Sequence, residues 1–485
     1  LYSRLMQITI SKSEYDRLHH EISYLKEQLA QINKMLFGQK SERFIAENAD
    51  QLSLAIDVNE IPVTKERIEI PAHQKNKKKV LTPHGREDLP DHLPRNDIYL
   101  EPEENTTGMK KIGEEITEEL DYKKATLVVN RYIRPKYIKD SSGERTDIII
   151  APLPPRPIEG GIPSAKLLAH ILISKYVDHL PLHRQLKIFR RLGFSPAEST
   201  INGWVKQSCE RLELLYDCLK QDVFSKNYLM VDETSIKVLK QGKAKGKNIH
   251  LGYFWVYHDP LGGSTWFDYH PSRGKAVPQN RLEHYSGYLQ TDGYAAYDQF
   301  NKMDGITMLA CMAHARRKFK EALDKGYSEA EPVLKLIQKL YRIERETKEL
   351  SDEARFAVRE KYSLPVLDEI HTWLLKETAK PNVPKHPVTK AVNYMLNQWD
   401  ALKAYTHTGY LKIDNNPVES CIRPVALGRK NYLFAGSDKG AKWAAMIYSL
   451  VSSAKNKGLC PSEYLSDALN RINEHPYKKL KELLP

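Results

Sequence analysis

Three carboxylates sit in surroundings that could support chemistry. Asp232 lies inside the apolar run YLMVDETSIKVL (228–239). Asp292 closes another such run, GYLQTDGY (287–294). Glu419 opens a helical stretch in DNNPVESCIRP (414–424). A carboxylate in a buried strand is costly unless it is paired, protonated or bound to a cation. Three acids converging at strand ends and a helix start would make a hard, oxygen-rich site. Such a site suits Mg²⁺ or Mn²⁺. Two such ions can activate a water or a 3′-hydroxyl and stabilise the leaving oxygen of an in-line phosphoryl transfer.

Each acid also has a simpler reading. Asp292 could make a turn. Asn416 could be an N-cap, with Pro417 at the first helical position and Glu419 closing a capping box. Asp232 could be an internal hydrogen-bonding residue. Spacing alone therefore does not establish a triad. Glu233 and Asp414 are further candidate ligands, and strand alternation should point Asp232 and Glu233 to opposite faces. Cys311 and His314, in CMAH, have the spacing of a metal pair, but a zinc site needs two more ligands. A buried cysteine and a hydrogen-bonded histidine at a basic helix start is the reading preferred for them.

The elements that must position these residues follow from periodicity. Tyr15, Leu18, Ile22, Leu25, Leu29, Ile32 and Leu36 alternate spacings of 3 and 4. That is the seam of a coiled coil joining two protomers, or of one amphipathic helix packed on its own chain. Residues 1–45 are read as this helix. Residues 46–92 are read as linker, including the basic, polar HQKNKKKVLTPHGRED, and 93–157 as a small β-rich module with strands in ATLVVNRYIRPKYI and TDIIIAP. Residues 158–222 are helical. Within them Gly193 suits a turn, Ser195 an N-cap and Pro196 the first helical position. This is the outline of a helix-turn-helix presenting Arg184, Lys187, Arg190 and Arg191 to DNA, or of an ordinary helical hairpin. Apolar runs across 227–311 read as strands, with 240–248 as a hairpin loop. Residues 312–405 turn charged and helical, with turn signals near Pro365 and across 381–387. A helix, a glycine-rich turn and another helix follow, and 456–485 form a helical tail. The fold class is thus α/β and multidomain.

Lys plus Arg is 74 against 62 Asp plus Glu, a formal charge of +12, which favours a polyanionic partner. The five cysteines, Cys209, Cys218, Cys311, Cys421 and Cys460, are scattered and odd in number. That spacing fits a reducing compartment and no disulfide framework. No run reaches the length of a membrane span, and the first ten residues lack the pattern of a signal peptide. A cytoplasmic location without membrane contact is the expectation.

Seven strings carry a specific resemblance: FGQKSERF (37–44), HILISKYVDHLPLHRQLKIFRRLG (170–193), STINGW (199–204), VDETSIKVL (231–239), LQTDGYAAYD (289–298), CMAHARRKF (311–319) and DNNPVESCIRPVALGRKNYLFAGSDKGA (414–441). In these the chain resembles the large transposase subunit of the insertion-sequence sixty-six family, in order and over nearly its whole length. The resemblance implies a ribonuclease-H-like core at 223–455, interrupted by a helical insertion at about 312–405. It implies a DDE triad of Asp232, Asp292 and Glu419, separated by 60 and 127 residues, holding two Mg²⁺ or Mn²⁺ ions. It implies metal-dependent cleavage of DNA ends and strand transfer, with element ends and target DNA as partners. A homo-oligomer through 15–36 and small accessory proteins of the same element belong to the same expectation. Arg316, Arg317, Lys318, Arg423, Arg429 and Lys430 are expected to contact phosphate, or else to form solvated helix faces. The alternatives are a two-metal nuclease and a catalytically inactive DNA-binding remnant or regulator. Family members usually carry a cysteine-rich zinc module near 90–150. Here no cysteine precedes Cys209, so the module is expected to persist without zinc.

Overall fold

The computed structural model describes residues 127–138, 148–240, 249–380 and 386–485. The chain divides into two compact units, 1–129 and 130–485, and the elements below belong to the second. The expected coiled coil at 15–36, the linker at 46–92, most of the module at 93–157 and the loop at 241–248 lie outside the described residues.

A short antiparallel hairpin comes first, β1 (Lys136–Ile138) with β2 (Ile148–Ile150). Three helices follow, α1 (Ala165–Tyr176), α2 (Leu182–Arg191) and α3 (Glu198–Phe224). Then come β3 (Tyr228–Leu239), β4 (Ile249–His258), β5 (Thr265–His270), α4 (Ala276–Arg281), β6 (Gly287–Thr291) and β7 (Ile306–Ala310). A helical block is inserted next: α5 (Met312–Asp324), α6 (Glu331–Glu346), α7 (Asp352–Val358), α8 (Leu364–Thr378), α9 (Pro387–Asn397) and α10 (Trp399–Lys403). The chain ends on α11 (Asn416–Tyr432), α12 (Asp438–Asn456) and α13 (Pro461–Arg471).

The apolar runs of 227–311 form one mixed sheet in the order β5-β4-β3-β6-β7. β3, β4 and β5 make an antiparallel meander, while β6 pairs in parallel with both β3 and β7. The expected hairpin is present, with Leu239 opposite Ile249. An edge strand exposes unpaired N–H groups, and something must satisfy them. On β5 the amides of Thr265 and Phe267 donate to the hydroxyls of Ser453 (2.9 Å) and Ser449 (2.8 Å). Both serines lie on α12, whose residues from Ala444 to Ala454 are all buried. A helix apolar nearly all round belongs inside a protein, and α12 takes that place against the sheet edge. α3 shows the complementary pattern. Ile201, Val205, Leu212, Leu215, Leu219 and Val223 are buried at helical spacing, one apolar seam on a long helix.

Four local expectations are corrected. Residues 127–135 are not strand, and Tyr132 and Ile133 are exposed; β-branched residues make strands only where a partner and a core face exist. α3 begins at Glu198 with Ala197 as its N-cap, not at Ser195 and Pro196. The preceding residues are taken up by the turn. Gly193 has φ +86°, the Phe194 amide donates to Phe189 O, and the Phe194 ring stacks on Trp204. α11 begins one residue early, with Asn415 as N-cap and no side-chain cap bond, so Glu419 is not the third residue of a capping box. Pro365 does not end a helix either. A π turn, Arg359–Ser363, joins α7 to α8, and Pro365 falls in the first turn of α8, where its missing N–H costs nothing.

That π turn places Arg359 in the interior. Its side chain is fully buried and pairs with Glu344 at 2.6 Å. The same guanidinium donates to the carbonyls of Tyr405 (2.8 Å), Leu411 (2.9 Å) and Thr408. Removing one member of a buried pair costs about 3–5 kcal/mol, because the other is left uncompensated. Arg359→Met is therefore expected to lower unfolding stability by roughly that amount, read as a shift of the urea midpoint at constant slope. A midpoint equal to wild type would show that the pair is not holding the segment at 405–411.

Candidate active site

The parallel pairing of β3 with β6 brings the first two acids together. Met230 lies opposite Gln290. Asp232 and Asp292 each follow two residues later, Asp292 just beyond the end of β6 and Asp232 within β3, where its parallel pairing with β6 has ended. Loops at the carboxyl ends of parallel strands are where α/β proteins build sites. Asp232 is half-buried, and its Oδ1 accepts from the Glu233 amide at 2.7 Å. Asp292 Oδ1 accepts from the Tyr294 amide at 2.9 Å, and its carbonyl accepts from the Tyr394 hydroxyl at 2.8 Å. Gly293 makes this turn at φ +84°, and a Cβ there would fall 2.9 Å from the Tyr394 hydroxyl oxygen. Conformation and space both require glycine.

Glu419 reaches the same place from the far side of the helical block. Asn415 is fully buried at the start of α11. Its Nδ2 donates to Val231 O at 3.2 Å, and its amide donates to Cys311 Sγ at 3.2 Å. The Met312 amide donates to Ile413 O at 3.1 Å. The start of α11 is thus tied to β3 beside Asp232 and to the end of β7. The proximity of the three acids shows in their electrostatics. The Asp232 carboxyl is pushed well above the usual carboxylate range, first by burial, then by Asp292, Glu233 and Glu419.

The other candidate acids have protein partners. Glu233 is held by Arg273 (2.6 and 3.0 Å) and the Tyr297 hydroxyl (2.8 Å). Asp414 accepts from the amide and the Nδ2 of Asn416 at 3.2 and 2.9 Å, which closes the turn into α11. Burial raises the carboxyl pKa of both.

Cys311 is buried as expected, but His314 Nδ1 lacks the expected hydrogen bond, and both residues lie beside Glu419. His314 Nδ1 lies 3.7 Å from Glu419 Oε1, and neither atom has a hydrogen-bond partner. Burial pushes the imidazole below its ordinary value, which favours the neutral ring. Cys311, His314 and Glu419 each bring a donor atom within 4.8 Å of the others. Sequence reasoning misses Asn415, Tyr394, Arg273 and Tyr297. For Asn415 a signal exists in DNNP; for the others there is none.

The basic candidates divide into three groups. Arg184, Lys187, Arg190 and Arg191 are exposed on or beside α2. Arg317 and Lys318 are exposed on α5, just after His314, while Arg316 is half-buried; Lys318 lies over the Tyr394 ring. On α11, Arg423 and Lys430 are exposed, but Arg429 is half-buried and donates to Ser235 O and, at 3.1 Å, to Ser235 Oγ. Arg429 braces α11 against β3.

Residues 160–443 match the family described as Transposase IS66 family. The chain belongs to that family. Residues 24–98 match the description "Transposase C of IS166 homeodomain", and 104–138 match "zinc-finger binding domain of transposase IS66". Three uncharacterized proteins of Sinorhizobium fredii, y4jD, y4hP and y4qI, are similar over the whole length. They are 31%, 30% and 31% identical across 97%, 95% and 98% of this chain and 96%, 88% and 90% of their own. At the level of the family the chain is a transposase with DNA as its partner. Among the described residues no helix is long and apolar enough to cross a membrane.

The expectation of a chain without zinc does not stand. A zinc-finger domain of the family matches at 104–138, and the Cys311, His314 and Glu419 group could hold a metal ion. The segment 104–138 itself contains neither cysteine nor histidine. Among the described residues, thiol, imidazole and carboxylate donors that could hold a metal are grouped at Cys311, His314 and Glu419.

The sign of the Asp232 shift gives a test. Because its folded pKa is raised, the folded state binds more protons than the unfolded one from the ordinary carboxylate range upward. Stability of the metal-free protein falls as pH rises through that window. Asp232→Asn is expected to melt higher than wild type at about pH 8 in chelator, and the gain should shrink near pH 4, where the unfolded-state carboxyl approaches protonation. A variant less stable than wild type at the higher pH would contradict the desolvated, mutually repelling cluster.

Proposed function

We propose that the chain cleaves and rejoins DNA as the transposase of a bacterial insertion sequence, with Asp232, Asp292 and Glu419 as a DDE triad in a ribonuclease-H-like core. The observation that carries this reading is the register of β3 and β6. It sets two acids side by side, while Asn415 delivers the third. The strand order, with an antiparallel meander joined to two parallel strands, agrees with such a core at 223–455. The helices of 312–405 correspond to the insertion before the glutamate.

On this reading the three carboxylates form a cradle for a hard divalent cation such as Mg²⁺ or Mn²⁺. When bound, the cation supplies polarisation of the attacking and leaving oxygens at phosphorus. The protein's own part is placement. The Tyr294 amide and the Tyr394 hydroxyl fix the turn that presents Asp292. Asn415 fixes the helix that presents Glu419. Arg273 and Tyr297 keep Glu233 out of the cradle. Arg317, Lys318, Arg423 and Lys430 lie on the helices that carry His314 and Glu419, and they meet phosphates flanking the reacting one. The exposed basic face of α2 binds DNA further out, as part of a DNA-binding region at 158–222. A helix at 15–36 joins protomers so that two ends are held together, and small accessory proteins of the element assist.

Joining of a pre-cut element end to plasmid DNA tests the chemistry. With Mg²⁺ or Mn²⁺, wild type is expected to join. Glu419→Gln and Asp292→Asn should lose more than about a hundredfold, a cost that outer-shell changes alone can reach, while still binding DNA. Joining by Glu419→Gln at the wild-type rate would remove Glu419 from the triad. Cutting without joining by wild type would make the chain a nuclease. The α2 face has its own readout. Changing Arg184, Lys187, Arg190 and Arg191 to Gln should flatten the dependence of log affinity on log salt by about 0.9 for each phosphate no longer neutralised. An unchanged slope would take α2 off the DNA.

A further inference from the structure

We infer that Cys311, His314 and Glu419 form a transition-metal site of three protein donors and one open position, suited to Zn²⁺ and sharing Glu419 with the acid cluster. Spacing comes first. Bonds of about 2.0–2.3 Å to a tetrahedral ion put neighbouring donors roughly 3.3–3.8 Å apart. His314 Nδ1 and Glu419 Oε1 already stand at 3.7 Å. Cys311 Sγ lies within 4.8 Å of a donor atom on each of them, so closure asks for about an ångström of side-chain movement.

The second observation is what these atoms lack. His314 Nδ1 and Glu419 Oε1 are buried and have no hydrogen-bond partner. At 3.7 Å they are too far apart to bond each other. Two buried polar atoms that face each other beyond hydrogen-bond distance call for a third partner.

The third is the surroundings of the sulfur. The Asn415 amide donates to Cys311 Sγ at 3.2 Å, and the His314 amide donates to it as well. Burial pushes the Cys311 thiol up to about 12, so these N–H groups position the sulfur, and the proton leaves only as a metal binds. Cys311 and His314 are three residues apart across the start of α5, which puts their side chains on one side of the turn. Thiolate and imidazole donors select zinc over magnesium. On binding, the thiol proton passes to solvent as the sulfur–metal bond forms, and the neutral imidazole and the carboxylate donate lone pairs without further exchange. Binding does not depend on the phosphoryl-transfer reading, because it can be read without DNA.

Cobalt(II) titration of the full chain tests the site. A thiolate bound to Co²⁺ gives a charge-transfer band in the near ultraviolet that carboxylate or imidazole donors alone do not give. The band is expected to saturate at one equivalent and to be displaced by Zn²⁺. It should vanish in Cys311→Ser and persist in Cys209→Ser, Cys460→Ser and Cys421→Ser. Cys421 is the informative control, since its sulfur lies 3.9 Å from His258 Nδ1. His314→Asn should weaken Co²⁺ binding at least about tenfold. No band in wild type, or a band that survives in Cys311→Ser, overturns the inference. If Cys311→Ser fails to fold, His314→Asn decides, and unchanged Co²⁺ affinity there overturns it.

Discussion

Charged carboxylates brought together where water is scarce repel one another and lose hydration at the same time. Asp232 shows this directly, since burial, Asp292, Glu233 and Glu419 all push its carboxyl toward the neutral form. Left free, the acids would separate or rotate out to solvent. The architecture is best understood as what prevents that. β3 and β6 are fixed by parallel pairing, and the pairing sets the spacing of the two aspartates. Gly293 lets the chain turn tightly after Asp292, and Tyr394 pins the carbonyl of that turn. The sheet can hold these positions because its own edge is closed by serines of a buried helix.

Glu419 is the harder residue to place, because the chain leaves the sheet at β7 and returns only after six helices. A returning segment with so many intervening residues has little register of its own. Two devices supply it. Arg359, buried in the π turn, gathers the carbonyls of Tyr405, Thr408 and Leu411 onto one guanidinium. Asn415 then bonds to Val231 and to Cys311, one partner on the central strand and one at the end of β7. The insertion is therefore part of the site's geometry. Its buried charge is a coupling between the helices and the loop that enters α11.

Much of this is legible from residue types. Strand runs at 228–239, 249–258, 265–270, 287–291 and 306–310 stand out by β-branched and aromatic content, and the acids within them by contrast. Helix boundaries are less legible because they depend on tertiary contacts. The stacking of Phe194 on Trp204 delays α3, and the bonds of Asn415 advance α11. Pro365 misleads for a related reason: a π turn places it where no donor is needed. The pairing of Glu233 with Arg273 joins residues 40 apart and has no local signature. Cys311 and His314 are undervalued by sequence because CxxH supplies only two donors. The third, Glu419, comes from across the helical block, and its place among the acids hides its nearness to the thiol and the imidazole.

The placement of neutral and charged groups around Glu419 bears on how DNA could approach. Three acids by themselves repel a phosphate. His314, the nearest basic residue, is held toward its neutral form and does not offset them. The cations that could, Arg317 and Lys318 on α5 with Arg423 and Lys430 on α11, are exposed and stand outside the cluster. The field around the site is then negative at the centre with positive charge on its flanking helices. A phosphate can be drawn to the rim by those side chains, but it can settle at the centre only when a cation has neutralised the acids, since a bound ion becomes the largest local charge. On the proposed reading, cation binding and engagement of the reacting phosphate are coupled for that reason. The same reason makes the shared carboxylate consequential: an ion that draws Glu419 toward Cys311 and His314 leaves the remaining two aspartates to hold the cradle alone.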